Sequence, residues 1–101
     1  ATEILLSAAF ALTPKEHWAR HTQARNARGR AVDFDSPTAC RWCMVGAVAA
    51  AQFDGGYAQE HRQRAYIFMD RAAGFGRFND THTHAEVLNA LYRAAELSEA
   101  T

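Results

Sequence analysis

RWCMVGAVAAAQF, residues 41–53, is the most apolar stretch of the chain and decides the fold that we expect. A helix drawn through it carries apolar side chains nearly all round, and a helix of this kind lies buried in the middle of a domain. The glycines of Asp54-Gly55-Gly56 then tolerate the left-handed conformation that often ends a helix. The stretch therefore predicts a central helix with the rest of the chain packed around it.

Two other segments show the spacing of an amphipathic helix. Residues 2–12 and residues 57–73 each carry an apolar stripe at helical period. Gly74 and Gly76 are expected to end the second of these helices. After the first, a proline suited to a first helical turn predicts a short helical piece over residues 14–20.

The last helix has the clearest start signal in the sequence. Thr83 followed by Glu86 matches the capping box, in which each side chain accepts a hydrogen bond from a backbone amide of the first turn. Apolar residues then recur at helical period to about Ser98. Residues 30–35 instead alternate apolar and polar side chains, which is typical of a short extended segment. We therefore predict a fold of the mainly α class, with a minor β element.

Length and composition limit the class further. A chain of 101 residues with 49% hydrophobic residues and a formal net charge of +0 is neither disordered by composition nor a polycation. We expect one compact domain over residues 1–101, a bundle of about four helices with a short β element near residues 30–40. The longest uncharged stretch, residues 42–53, is shorter than the ~20 residues of a bilayer span, so we expect a cytoplasmic protein without membrane contact. Ten arginines against one lysine, with 22 alanines, suggest a GC-rich bacterial or phage genome.

Cys40 and Cys43 form a C-x-x-C unit just before the apolar helix. A thiol at a helix N-terminus gains thiolate character, so a redox pair is one interpretation, although the thioredoxin context of a strand in a sheet is missing. Zinc is another, with His82 and His84 as the remaining ligands, but structural zinc histidines are usually spaced by about three to five residues. The simplest interpretation is two small apolar side chains that are buried or half-buried, and we expect no cofactor.

A second polar cluster lies in the turn before the last helix. Asn79 and Asp80 are residue types that cap helices and form Asx-turns, so a purely structural role explains them. If two helix N-termini meet, however, Cys43 and His84 become neighbours, with Asp80 or Asn79 orienting the imidazole. That arrangement would be a Cys-His nucleophile of a thiol-dependent hydrolase or transferase.

The third candidate is the arginine-rich segment of residues 20–30. Arg20, Arg25, Arg28 and Arg30 occur there without an acidic residue, and we interpret the segment as a solvated loop. Such a loop could bind phosphate groups or nucleic acid, and the neighbouring tryptophan could stack on a base.

Two short motifs resemble DUF6197, a family of small actinobacterial and phage proteins of unknown function. They are WCMVGA at residues 42–47 and the segment of residues 78–88, which contains an N-D turn and a helix start of the form T-H-x-E-V. The matching positions are Trp18, Cys43, Gly46, Ala47, Asn79, Asp80, Thr83, His84, Glu86 and Val87. Cys40 is not part of the pattern, which weakens the redox and zinc interpretations. The resemblance implies this fold outline and no activity.

The function that we prefer from the sequence is a non-enzymatic protein-interaction module with a protein partner. The reasons are the lack of a nucleotide-binding loop, the lack of a convincing metal set and polar motifs that helix capping explains. Gly46 fits this interpretation because a missing side chain lets another helix approach closely. A homodimer is possible, and the alternatives stay open: the Cys-His enzyme, and phosphate or nucleic-acid binding by the arginine-rich segment.

Overall fold

The computed structural model describes residues 1–74 and 77–100, which form a helical bundle with a small sheet. The helices are α1 (Thr2–Leu12), α2 (Met44–Asp54), α3 (Gln59–Ala73), the one-turn α4 (Phe78–Thr81) and α5 (His84–Glu99). A 3-10 turn, Lys15–His17, lies within the segment that was predicted as a short helical piece. The mainly α fold with four long helices is confirmed. Gly74 follows α3 with a φ of 74°, whereas Gly76 lies outside the described residues.

The middle of the bundle is α1 rather than the helix of the most apolar segment. Helix α1 packs against α2, α3 and α5, and its inward side chains are almost fully buried: Ile4, Leu5, Ala8, Ala9 and Leu12. Helix α2 packs mainly on α1 and α3, and Phe53 in its last turn is 58% exposed. The expectation of a central helix over residues 41–53 is therefore wrong in its placement. Apolar composition alone could not show that the first residues of this segment form a strand.

The β element is a three-stranded antiparallel sheet in the order β2-β1-β3. Its strands are β1 (Ala24–Arg25), β2 (Ala31–Val32) and β3 (Arg41–Trp42). The element predicted near residues 30–40 is confirmed at β2. The expectation of a solvated loop over residues 20–30 is wrong at β1, since β1 is the middle strand and Ala24 is fully buried.

Gly46 allows the sheet to dock on α2. A Cβ atom at this position would lie 2.0 Å from the backbone oxygen of Gln23, the residue before β1. That oxygen also accepts a hydrogen bond of 3.1 Å from the Cys43 backbone N–H. The close approach that Gly46 permits is thus to an extended chain, not to a second helix as the sequence suggested.

The start of α5 is fixed as its sequence predicts. Thr83 Oγ1 accepts a hydrogen bond from the Glu86 backbone N–H at 3.2 Å, and Glu86 Oε1 accepts one from the Thr83 backbone N–H at 2.9 Å, so the capping box is confirmed. At the other end, the hydroxyls of Thr2 and Ser98 form a hydrogen bond of 2.5 Å that joins α5 to the start of α1. Within the described ranges, no helix has the length and apolar character needed to cross a membrane.

Candidate functional site

Asn79 is the buried polar centre of the molecule, with a relative exposure of 3%. Its Oδ1 accepts hydrogen bonds from Trp18 Nε1 at 2.8 Å and from the Met44 backbone N–H at 2.9 Å. Its Nδ2 donates to the Ala19 carbonyl oxygen at 2.9 Å. One amide therefore ties the segment after α1, the first residue of α2 and helix α4 together. Asn79 therefore has a capping role, as its residue type suggests. The backbone N–H that it caps is that of Met44 in α2, which is distant in the sequence.

Asp80 holds the neighbouring loop. Its Oδ1 accepts a hydrogen bond of 2.8 Å from the His21 backbone N–H, and its Oδ2 lies 3.5 Å from His21 Nδ1. The backbone hydrogen bond from His21 is the main reason that the pKa of Asp80 is lowered from its usual value. His21 has a φ of 67°, a left-handed conformation that costs energy in a residue with a side chain. Asp80 thus stabilises a strained turn, and its side-chain contacts go to His21 and Asn79 rather than to the His84 imidazole that it was predicted to orient.

Cys43 is the N-cap residue of α2, and its thiol is buried. The Sγ atom accepts a hydrogen bond of 3.3 Å from the Gly46 backbone N–H. Burial raises the pKa of this thiol from its usual value, despite the nearby amides that lower it. A thiol of this kind is mostly protonated near neutral pH and is a poor nucleophile. Cys40 and Cys43 are both free, with Cys40 half-buried.

His84 begins α5 and is engaged with the segment around α1. Its Nε2 donates to the Leu12 carbonyl oxygen at 2.6 Å, and its ring lies 5.5 Å from the Trp18 ring, centroid to centroid. Trp18 therefore touches both His84 and Asn79, and Asn79 in turn accepts a hydrogen bond from Met44, the first residue of α2. Among the described residues, however, the hydrogen bonds of Cys43 and His84 go to other partners. The Cys-His enzyme stays a prediction, and these partners weigh against it.

His82, which was considered for zinc, has other partners too. His82 Nδ1 donates to the Phe78 carbonyl oxygen at 2.9 Å, and the two rings stack with centroids 3.7 Å apart. Over residues 1–74 and 77–100, no group of three or more His, Cys, Asp and Glu side chains is arranged to hold a metal ion.

The arginines of residues 20–30 divide into two groups. Arg20 and Arg25 line a cavity of about 320 Å³ together with Arg41, which the sequence interpretation missed; Trp18, Ala19 and His21 complete its lining. Arg28 and Arg30 lie in the turn between β1 and β2, where Asn26 Oδ1 accepts hydrogen bonds from their backbone amides. They do not line the cavity. The alternating pattern of residues 30–35 predicts an extended segment, but nothing local in the sequence shows that Arg41 begins a paired strand.

An apolar groove runs between α1 and α2. It has a volume of about 360 Å³ and is lined by Ser7, Ala11, Trp42, Ala47, Ala50, Ala51, Asp54, Gly55 and Tyr57. Two large apolar side chains of α1 point outward one helical turn apart: Phe10 is 79% exposed and Leu6 is 43% exposed. Phe10 neighbours the groove's edge, since Ser7, which lines the groove, lies three residues before it on the same helix surface. At the other end of the groove, Tyr57 OH donates to Glu3 Oε2 at 2.6 Å.

These features define a small, mainly α-helical domain in which one buried asparagine joins α4 to the start of α2 and to the segment after α1. The chain belongs to DUF6197, a family of unknown function, whose family profile matches residues 1–97. The comparisons with curated proteins and with solved structures found no match.

Proposed function

We propose that this protein is a protein-interaction module that binds a partner through the groove between α1 and α2. The observation that carries the proposal is Phe10, which is 79% exposed beside the apolar groove. A phenylalanine placed in water loses the free energy that its burial would supply, about 1.5–3 kcal/mol. Exposed apolar side chains that adjoin a concave apolar surface often mark interaction sites.

The floor of the groove fits an apolar side chain of the partner. Ala47, Ala50 and Ala51 line the α2 side, so small side chains leave room for a larger one to enter. A volume of about 360 Å³ is at the small end of ligand-binding clefts, which favours one or two inserted side chains over a large ligand. Anchors of this kind supply most of the binding energy in helix-in-groove recognition.

The charges around the groove favour a partner with a basic residue next to its apolar anchor. Asp54 lines the groove, and Glu3 adjoins it through its hydrogen bond to Tyr57. A second copy of this chain, bound about a two-fold axis, would place the same carboxylates on both sides of the interface. Such like charges destabilise an interface, so we favour a different protein over a homodimer.

The experiment is site-specific photo-crosslinking followed by binding with purified components. A photoreactive phenylalanine analogue replaces Phe10 in one sample and Ile67 in a control, because Ile67 is also apolar and 52% exposed but lies on α3. We expect a crosslinked protein at position 10 and not at position 67. The identified partner is then purified, and its affinity is measured by calorimetry.

Two variants decide whether the groove is the binding site. Ser7→Trp fills the groove from an exposed position, and Asn89→Trp adds the same side chain to an exposed position of α5. We expect Ser7→Trp to weaken binding at least about tenfold and Asn89→Trp to leave it unchanged. Equal affinities for both variants contradict the proposal, and so does a crosslink only to a second copy with the mass of a dimer in light scattering.

A further inference from the structure

The sheet places two arginines directly opposite each other. Arg25 of β1 and Arg41 of β3 are register partners in an antiparallel pair. Side chains at opposite positions project from the same face with Cβ atoms about 4.5–5.5 Å apart, and like charges placed there destabilise the pairing. The strands are only two residues long, so little other pairing offsets this repulsion.

Carboxylates do not neutralise these arginines. Within the described residues, none of Arg20, Arg25 and Arg41 forms an ion pair with Asp or Glu, and the ion pair nearby joins His21 to Asp80. Arg25 donates to the backbone carbonyls of Gly29 and Arg20, at 2.8 and 3.1 Å. These bonds orient a guanidinium but leave its charge uncompensated.

Arg20 is oriented in the same way. Its guanidinium lies 4.8 Å from the centroid of the Trp18 ring and donates to the His82 carbonyl oxygen. Asp80 lies beside this corner: its Oδ1 accepts a hydrogen bond from the His21 backbone N–H, and the charge of Arg20 is a smaller reason that its pKa is lowered. Three arginines thus line one cavity, and none of them is ion-paired with a carboxylate in the described part of the chain.

We infer that this cavity binds the phosphate group of a small molecule, with Arg20, Arg25 and Arg41 as its charged contacts. Guanidinium groups match phosphate geometry and donate paired, charge-assisted hydrogen bonds to it. A dianion between Arg25 and Arg41 would turn their repulsion into attraction for a common ligand. The cavity volume of about 320 Å³ suits a phosphate with a small attached group. This inference does not depend on the proposed function, because the groove between α1 and α2 and this cavity have no lining residue in common.

The test compares two arginine variants with equal changes in charge. Arg41→Gln removes an exposed arginine of the cavity, and Arg28→Gln removes an exposed arginine of the neighbouring turn. Binding of inorganic phosphate, and of a sugar monophosphate, is measured by NMR titration of the amides at constant ionic strength. We expect Arg41→Gln to raise the dissociation constant about tenfold to a hundredfold, and Arg28→Gln to change it less than about twofold.

Thermal unfolding supplies a second readout. Phosphate stabilises many proteins non-specifically, so the wild type is compared with both variants in phosphate and in chloride. In chloride, Arg41→Gln should unfold at the same or a higher temperature than the wild type, because the cross-strand repulsion is gone. The change from chloride to phosphate should raise the unfolding temperature of Arg41→Gln less than that of Arg28→Gln.

Three outcomes would overturn the inference. One is no amide shift with tens of millimolar phosphate, and another is an equal loss of binding in both variants. The third is tight, salt-sensitive binding of a single-stranded oligonucleotide that depends equally on Arg28, Arg30 and Arg41, without binding of the small phosphates. That result would assign the arginines to a nucleic-acid backbone instead of a cavity.

Discussion

Replacing Asn79 with alanine should cause a large loss of stability. The substitution removes the amide that satisfies the Trp18 indole N–H, the Met44 backbone N–H and the Ala19 carbonyl oxygen. Each buried group left without a partner costs about 1–3 kcal/mol. Water entering the space left by the amide would satisfy part of this set, so we expect a total of about 3–6 kcal/mol. A domain of this length has an unfolding free energy of about 5–15 kcal/mol, so Asn79→Ala should fold marginally.

Urea unfolding followed by circular dichroism and by tryptophan fluorescence measures this loss. Asn89→Ala is the matched control, since Asn89 is exposed on α5, and it should change the unfolding free energy by less than about 0.5 kcal/mol. If Asn79→Ala does not fold, Asn79→Asp gives a second measurement, because it keeps Oδ1 for the two N–H donors and loses the hydrogen bonds that Nδ2 donates to Ala19 and to Asp80 Oδ1. The reasoning is refuted if Asn79→Ala folds with a stability within about 0.5 kcal/mol of the wild type.

Three further predictions concern positions around Asn79. Gly46→Ala should lower the unfolding free energy in urea by about 3 kcal/mol, because its Cβ would lie 2.0 Å from a backbone oxygen that cannot move freely. Cys43 should react with a thiol reagent at pH 7.5 about tenfold more slowly than Cys40, since burial raises its pKa; labelled peptides are counted by mass spectrometry. A carboxyl with a lowered pKa stabilises the fold above its unfolded pKa and loses this effect as pH falls, so the stability difference between wild type and Asp80→Asn should shrink between pH 6 and pH 3.

Each of these predictions has a contradicting result. For Gly46→Ala it is a change below about 0.5 kcal/mol. For the thiols it is faster labelling of Cys43 than of Cys40, which would also revive the Cys-His enzyme. For Asp80→Asn it is a difference from the wild type that stays constant over that pH range.

The parts of the fold that the sequence predicts are those that depend on neighbouring residues. The capping box of Thr83 and Glu86 spans a single turn, and the apolar stripe of residues 2–12 spans one helix, so both are visible in the sequence. The strands are different. Two residues such as Ala24 and Arg25 carry no period, and only their pairing with distant residues makes them a strand.

In the candidate site, too, the sequence shows the residue types but not the contacts that distant residues make. The sequence indicates Asn79 and Asp80 as capping residues or as orienters of an imidazole, but their partners Trp18 and His21 lie about 60 positions away and cannot be inferred from spacing. Arg41 was missed for the same reason, because only the register of β1 and β3 brings it next to Arg25. The charge cluster is therefore a property of the sheet, while the arginine-rich segment contains only part of it.

The hydrogen bonds of Asn79 also bear on how the chain folds. They join residues separated by 61, 60 and 35 positions, so they form only when segments from most of the chain have assembled. Contacts of such long range are costly in entropy before the helices have docked. We expect the amide to act after the rate-limiting step of folding, so that its loss accelerates unfolding and leaves the refolding rate nearly unchanged. Asn79 would then set the lifetime of the native state rather than the speed of reaching it.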